Sequence, residues 1–129
     1  MRKHGLILVC LAISCSTLFA ADKVTNTNLV SAARKAYDAI SAEFQAGSCE
    51  ADEVYDWSKR LLTLQLKDSR LSKEQRLGFY AEHHDRMKKL YKEHLGSFRG
   101  TDGTTRSPAT SEFYMQEAQF MLEEQRDAK

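Results

Sequence analysis

Apolar residues recur at alternating spacings of three and four along most of the chain after residue 28, which places them on one face of successive α-helices. No segment alternates apolar and polar residues with a period of two over a useful length, and no β-branched run occurs, so no strand is predicted. The spacing therefore predicts an all-α domain of three to four antiparallel, amphipathic helices. These are expected to pack as helical hairpins or as a bundle with coiled-coil-type seams. The predicted helices cover about residues 24–46, 51–67, 73–97 and 108–126.

Each predicted helix has a seam, which is the apolar stripe along one of its faces. Heptad-like spacing of this kind predicts shallow, left-handed helix crossings, with the seam residues in the core. The first seam consists of Val30, Ala33, Tyr37, Ile40 and Phe44, and the second of Val54, Trp57, Leu61 and Leu64, widened by Tyr55, Leu62 and Leu66. The third consists of Leu77, Tyr80, His84, Met87, Tyr91, His94 and Phe98, and the fourth of Phe113, Gln116, Phe120 and Glu123, with Met115, Ala118, Met121 and Leu122 beside them.

Capping residues mark where these helices begin and end. Gly47 follows the first seam, and glycine readily adopts the left-handed conformation that ends a helix. Ser72 with Gln75 three residues later is typical of a capping box at the start of the third helix. Ser107 followed by Pro108 predicts the start of the fourth helix, with serine as the N-cap and proline at the first helical position.

Residues 1–20 have the layout of a secretory signal peptide, with two basic residues, an apolar run and a small-residue end. The apolar run is far shorter than the roughly 20 residues that a membrane-spanning helix needs. We therefore expect cleavage after Ala20, export to the periplasm or the medium, and one soluble helical domain over residues 21–129. An alternative is lipid anchoring through Cys15, because residues 12–15 loosely resemble a bacterial lipobox.

Cleavage would leave Cys49 as the one cysteine of the mature chain, so no disulfide can form within a monomer. A lone thiol in an oxidising compartment is either buried as a small apolar group or paired with another chain. The position of Cys49 beside Gly47 in a predicted turn favours partial exposure. An intermolecular disulfide is therefore an alternative to an inert thiol.

The segment AEHHDRMKKLYKEH, residues 81–94, places three of the four histidines on the third helix. A helix holds a metal with two ligands three or four residues apart, and no good ligand lies at those spacings from His83, His84 or His94. His83 and His94 lie about 16 Å apart along a helix axis, so one ion cannot bridge them. No metal site is predicted, and the histidines are interpreted as partly buried or hydrogen-bonded side chains. The alternative is a ligand site that His84 and His94 form in the interior with residues from other helices.

Other chemistries lack their sequence patterns. The chain has no CxxCH for covalent haem, no Glu-x-x-His pair of the di-iron bundles and no glycine-rich phosphate loop. Cys49 has no local histidine or cation that would activate it as a nucleophile. No catalytic residue, cofactor or metal ligand is therefore predicted.

Three segments resemble a family of uncharacterised exported bacterial helical proteins: FQAGSCEADEVYDWSKRLL, EHHDRMKKLYKEH and SEFYMQEAQFMLEEQ. The resemblance implies an all-helical fold and export, and it implies no reaction. The Ala-Gly turn between long helices also resembles, more distantly, the helical hairpins of outer-membrane efflux proteins. The strand segments of those proteins are missing here, so membrane insertion and efflux are not implied. The loop from Gly96 to Arg106 replaces a second Ala-Gly turn of the family pattern. The matching residues are Phe44, Ala46, Gly47, Ser58, Arg60, Leu61, Leu62, His83, Arg86, Tyr114, Glu117 and Ala118.

The near balance of 19 basic and 18 acidic residues argues against a nucleic-acid or anionic-membrane partner. The function that these observations favour is a non-enzymatic protein-interaction or self-association module, with a second copy or another envelope protein as the partner. The alternative is a metal- or small-ligand-binding helical bundle that uses core histidines. An enzyme is the third hypothesis.

Overall fold

The computed structural model describes residues 25–98 and 107–128, and four helices account for 83% of them. No strand occurs within these ranges, which confirms the all-α prediction. Each helix end lies within two residues of its predicted position. The predicted signal peptide, Cys15 and residues 99–106 lie outside the described residues. The helices are α1 (Asn26–Gln45), α2 (Ala51–Gln65), α3 (Lys73–Phe98) and α4 (Ala109–Asp127).

The turn between α1 and α2 is built on Gly47, which has a φ of +76°. The N–H of Ser48 donates to the carbonyl oxygen of Glu43 at 2.8 Å, and the N–H of Gly47 donates to that of Phe44 at 3.0 Å. These two bonds form a Schellman motif, which satisfies the last carbonyls of α1 and reverses the chain. The predicted left-handed glycine is therefore confirmed.

A capping box begins α3 as the sequence predicts, whereas at α4 the N-cap residue is Pro108 and not the predicted Ser107. The N–H of Ser72 donates to Oε1 of Gln75 at 2.9 Å, and the N–H of Gln75 donates to Oγ of Ser72 at 3.1 Å. At α4, Oγ of Ser107 accepts from the N–H of Ala109 at 3.3 Å. Pro108 lies between them with helical dihedral angles, φ −70° and ψ −1°. These caps satisfy N–H groups that have no partner within the helix.

The helices pair as two hairpins that meet through α2. Nδ2 of Asn26, at the start of α1, donates to the carbonyl oxygen of Leu64 near the end of α2 at 3.2 Å. Nζ of Lys73, at the start of α3, donates to the carbonyl oxygen of Ala128 after the end of α4. Helix α2 also packs against α3 and α4, so it contacts each of the other three helices.

The core lies where α1, α2 and α3 meet, with a smaller contribution from α4. Leu61 and Met87 have no exposed surface, and burying a side chain of this size contributes about 1.5–3 kcal/mol each to stability. The main cluster consists of Tyr37, Phe44, Cys49, Ala51, Val54, Met87, Leu90 and Ala118.

Cys49 belongs to this cluster and is 6% exposed, so the expectation of a partly exposed thiol is wrong. Its Sγ lies 3.4 Å from the carbonyl oxygen of Ile40, as a weak hydrogen-bond donor. The tight reversal at Gly47 brings the residues after the turn back against the end of α1. A thiol in that position is buried even though the turn itself is exposed.

The buried face of α2 differs from its predicted seam. Trp57 and Leu64 are only partly buried, whereas Ser58 and Gln65 are buried. The guanidinium of Arg60 lies 4.9 Å from the centre of the Trp57 ring. Because α2 contacts three helices, its buried face is wider than one apolar stripe.

Candidate functional site

A buried polar network joins α2 to α3. Ser58 and His83 have no exposed surface, and Oγ of Ser58 lies 2.8 Å from Nδ1 of His83. Nε of Arg86 donates to the same Oγ at 2.7 Å. The guanidinium of Arg86 also lies 5.4 Å from the ring of Tyr37 on α1 and 3.7 Å from a carboxylate oxygen of Glu82. The network therefore ties three helices together at one level of the bundle.

The surroundings of His83 hold its imidazole neutral. Oγ of Ser58 accepts from Nε of Arg86 and also hydrogen-bonds to Nδ1 of His83, in the direction that the tautomer of the ring sets. Burial lowers the pKa of His83 to about 3 from its ordinary value of 6.5, and the positive charge of Arg86 acts in the same direction. Among the described residues, Nε2 of His83 has no hydrogen-bond partner.

A second serine–histidine pair joins α3 to α4. Nδ1 of His94 lies 3.0 Å from Oγ of Ser111, and that hydroxyl donates to the carbonyl oxygen of Pro108 at 2.9 Å. The proton of Nδ1 is therefore donated to Ser111. The ring of His94 meets that of Phe44 edge-on, with centroids 5.7 Å apart. This pair holds the first turn of α4 against the end of α3.

The buried histidines are His83 and His94, whereas His84, which the third seam included, is partly buried beside Asp85. Adjacent residues on a helix point in directions about 100° apart, so α3 buries His83 fully and its neighbour His84 only in part. Within the described residues, no group of three His, Cys, Asp or Glu side chains could hold a metal ion. Nδ1 of both buried histidines faces a serine. The two rings lie about 16 Å apart along the axis of α3.

The Ser58–His83 pair has the residue types of a nucleophile and its base, but both side chains are closed to solvent. A hydroxyl that cannot reach a substrate cannot attack it. The pair instead fixes how α2 packs against α3, because a buried donor or acceptor that loses its partner costs about 1–3 kcal/mol.

A tyrosine clasp holds α4 against α2. The rings of Tyr55 and Tyr114 stack with centroids 3.9 Å apart and planes 10° apart. Each hydroxyl donates to a carboxylate on the opposite helix, Tyr114 to Asp52 at 2.8 Å and Tyr55 to Glu117. Partial burial and the hydrogen bond to Asp52 raise the pKa of Tyr114 to about 12. The clasp fixes the rotation of α4 about its own axis.

With this rotation, α4 buries Ser111, Ala118 and Leu122, and it exposes Phe113 and Phe120 by 58% and 59%. The predicted seam through Phe113, Gln116 and Phe120 is therefore wrong as a core seam. Small residues at 111 and 118 let α4 approach the other helices closely, which the phenylalanine side would prevent. The two phenylalanines lie about 10.5 Å apart along the axis on the same side of the helix, since they are seven residues apart.

We call this surface the outer face of α4 and define it by Phe113, Gln116, Phe120 and Glu124. Gln116 and Glu124 are also exposed. Over residues 25–97 and 107–128, the large apolar side chains that are exposed are Leu29 on α1 and the two phenylalanines of this face. The face is thus a concentrated apolar feature on the surface of the described part of the protein.

Carboxylates flank the outer face of α4. The helix carries five acidic residues and one arginine. Nε2 of Gln116 donates to Oε1 of Glu112 at 3.3 Å, and Gln119 donates to Glu123, so amides rather than cations partner these two acids. No ion pair joins a carboxylate of α4 to a basic group elsewhere in residues 25–98 or 107–128. The acidic residues are Glu112, Glu117, Glu123, Glu124 and Asp127.

The sequence allowed two interpretations of the charges on α3 and α4, namely attraction between the helices or separate solvation. Lys88 and Lys92 are exposed on α3, and Lys89 lies 3.7 Å from Glu93 of its own helix. In the described part of the chain no ion pair links α3 to α4. The lysines of α3 therefore form no ion pair with the carboxylates of α4.

Sequence reasoning named most of these residues but not their roles. Ser58, His83 and Arg86 are among the residues that match the family pattern, and the fold brings them together. Tyr114 and Glu117 also match that pattern, and both belong to the tyrosine clasp. Ser111 was missed, and the signal that could have found it is its small, polar side chain four residues after the Ser107 cap.

No family model, curated protein or solved structure matches this chain. None of the helices within the described residues is long and apolar enough to cross a membrane.

Proposed function

We propose that this chain is an exported, non-enzymatic helical protein that binds a helix of another protein through the outer face of α4. The observation that carries the proposal is the exposure of Phe113 and Phe120 by more than half, seven residues apart on one side of a helix. This spacing matches the i, i+7 contacts by which one amphipathic helix packs on another.

Burial of these two side chains supplies a driving force for association. Fully burying a phenylalanine contributes about 1.5–3 kcal/mol, and the exposed fractions leave more than half of that to be gained on binding. The ordering cost of binding is low, because the tyrosine clasp and the His94–Ser111 pair already fix α4 in place. A rigid helix with two exposed aromatic residues is therefore suited to act as a preformed docking surface.

Site-specific photo-cross-linking in cells that export the protein tests the proposal. A photo-reactive phenylalanine analogue replaces Gln116, between the two phenylalanines, or Leu29, an exposed apolar position on α1 that serves as the matched control. We expect one discrete protein adduct from position 116 and none of that size from position 29. The adduct should disappear in a Phe113→Ser/Phe120→Ser chain, whose circular dichroism should be unchanged because both rings are mostly exposed.

Adducts of the same sizes from both positions would contradict the proposed docking face. An adduct that survives the double serine substitution, or the lack of any adduct at position 116, would also contradict it.

Export has its own test, the intact mass of the protein extracted from the cell envelope. A mass that begins at Ala21 is expected for the signal peptide proposed at residues 1–20. A mass that begins at Met1 would refute export by this route, and an acylated mass that begins at Cys15 would identify a lipoprotein.

A further inference from the structure

The charge around the outer face of α4 indicates which kind of helix it would bind. Helical geometry places Glu124 close to one side of the phenylalanine track, four residues after Phe120. Glu117 is half-buried and accepts from Tyr55 of α2, so it belongs to the tyrosine clasp and not to this flank. Glu112 and Glu123 lie on the other side, beyond Gln116. Because no ion pair within the described residues neutralises Glu112, Glu123 or Glu124, a partner that brings cations would meet charges that are not already matched.

We infer that the docking partner is a basic amphipathic helix of another protein, with apolar side chains seven residues apart and lysine or arginine on both sides of them. This inference rests on the proposed function and specifies its partner. The apolar residues would cover Phe113 and Phe120, and the flanking cations would face the carboxylates of α4. The partner's charge would thereby select the correct helix, since an acidic helix of the same apolar pattern would be repelled.

A second copy of this chain fits the same face poorly. Two α4 helices face to face would bring carboxylates opposite carboxylates, which opposes association. The basic side of α3, with Lys88 and Lys92, would supply opposite charge, but over residues 73–97 this helix exposes no large apolar side chain to cover the phenylalanines. A partner that matches both the charge and the apolar residues of the outer face of α4 is therefore a different protein.

The test uses the mature chain and three synthetic helical peptides. The basic peptide carries leucine at i and i+7 with flanking lysines, the acidic peptide replaces those lysines with glutamates, and the scrambled peptide has the composition of the basic one without its apolar stripe. Binding is measured by calorimetric titration at low salt and at about 0.5 M salt, where screening weakens exposed ion pairs. The variants are Phe113→Ser/Phe120→Ser and Glu123→Gln/Glu124→Gln. The matched control removes two exposed carboxylates from α1 instead, as Asp38→Asn/Glu43→Gln.

We expect the basic peptide to bind at least roughly tenfold more tightly than the acidic and scrambled peptides at low salt, with the difference shrinking at high salt. The Glu123→Gln/Glu124→Gln variant should bind the basic peptide about 2- to 30-fold more weakly, as the loss of two exposed ion pairs implies. The control variant should bind it as the unchanged chain does.

The outcomes separate this inference from the proposed function. Equal binding of the basic and acidic peptides, abolished in both cases by Phe113→Ser/Phe120→Ser, would overturn the basic partner and leave the docking face standing. Binding of neither peptide, or binding that survives the loss of both phenylalanines, would overturn both. Light scattering that shows a dimer of the chain without peptide, lost in the double serine variant, would replace the basic helix by a second copy.

Discussion

Lowering the pH from 7 to 5 should destabilise this protein through His83. The folded state holds this ring neutral, because burial lowers its pKa to about 3, whereas the unfolded chain has the ordinary value of 6.5. Below pH 6.5 the unfolded state therefore binds a proton that the folded state does not. The contribution of the neutral ring to stability is complete above pH 6.5, and it is lost progressively as the pH falls toward 3.

The two pKa values set the size of this effect. Each pH unit between them costs up to 1.36 kcal/mol, so at pH 5 the loss is about 2 kcal/mol. That is a large share of the roughly 5–15 kcal/mol by which a small domain is stable. Carboxylates contribute little in this range, because their ordinary pKa values are near 4.

Urea unfolding at pH 7 and pH 5 measures the effect, and two asparagine variants isolate it. In His83→Asn the side-chain amide takes the place of Nδ1 and keeps a hydrogen bond to Ser58, because an amide offers both a donor and an acceptor, but the side chain cannot titrate. The control is His84→Asn, which alters the partly buried neighbour. We expect the pH dependence to flatten by about 2 kcal/mol in His83→Asn and to persist in His84→Asn. An unchanged pH dependence in His83→Asn would refute the buried, neutral imidazole.

Three further outcomes follow from the packing. Gly47→Ala should destabilise the protein by about 1–2 kcal/mol in thermal or urea unfolding, because φ at this position is +76°. Gly78→Ala, in α3 with open space around it, should stabilise the protein by up to about 1 kcal/mol, and a change of the same sign in both variants would contradict the turn geometry. Leu61→Ala should cost about 2–5 kcal/mol in urea unfolding, and a cost below 1 kcal/mol would contradict its complete burial. Cys49 should react with a thiol reagent far more slowly in the native protein than in urea, and equal rates would contradict its place in the core.

Helix α1 and the ends of α1 and α3 show where sequence patterns suffice. Ala33, Tyr37 and Phe44 are the strongest apolar positions of α1, and the rest of that helix is mostly polar, so only one face can be buried. The caps at Gly47 and Ser72 depend on residues that are close together in the sequence, so they can be recognised from the sequence alone. Helix ends and type were therefore predictable without knowledge of the packing.

Helix α4 shows where such patterns fail. Apolar residues lie on all sides of it, so more than one stripe has helical spacing, and the larger residues suggested the wrong one. The buried stripe uses Ser111 and Ala118, whose small size matters only once the neighbouring helices are known. The stripe that contains the phenylalanines is the one left exposed, and it forms the candidate site.

Buried polar residues form the second class of missed features. Ser58 does not belong to any apolar stripe, and its burial depends on the partners that His83 and Arg86 provide from another helix. The preference for His83 over its neighbour His84 has the same origin. Such pairings are tertiary information, which periodicity within one helix does not contain.

Mapping of the bound basic peptide on the isotope-labelled mature chain by amide chemical shifts tests the central claim most directly. The outer face of α4 is predicted to show the largest shifts, centred on Phe113, Gln116 and Phe120, with little change at the exposed Leu29 on α1. Two results would contradict the claim that α4 is the docking surface. One is a set of shifts centred on α1 or α2, and the other is the absence of shifts even at high peptide concentration.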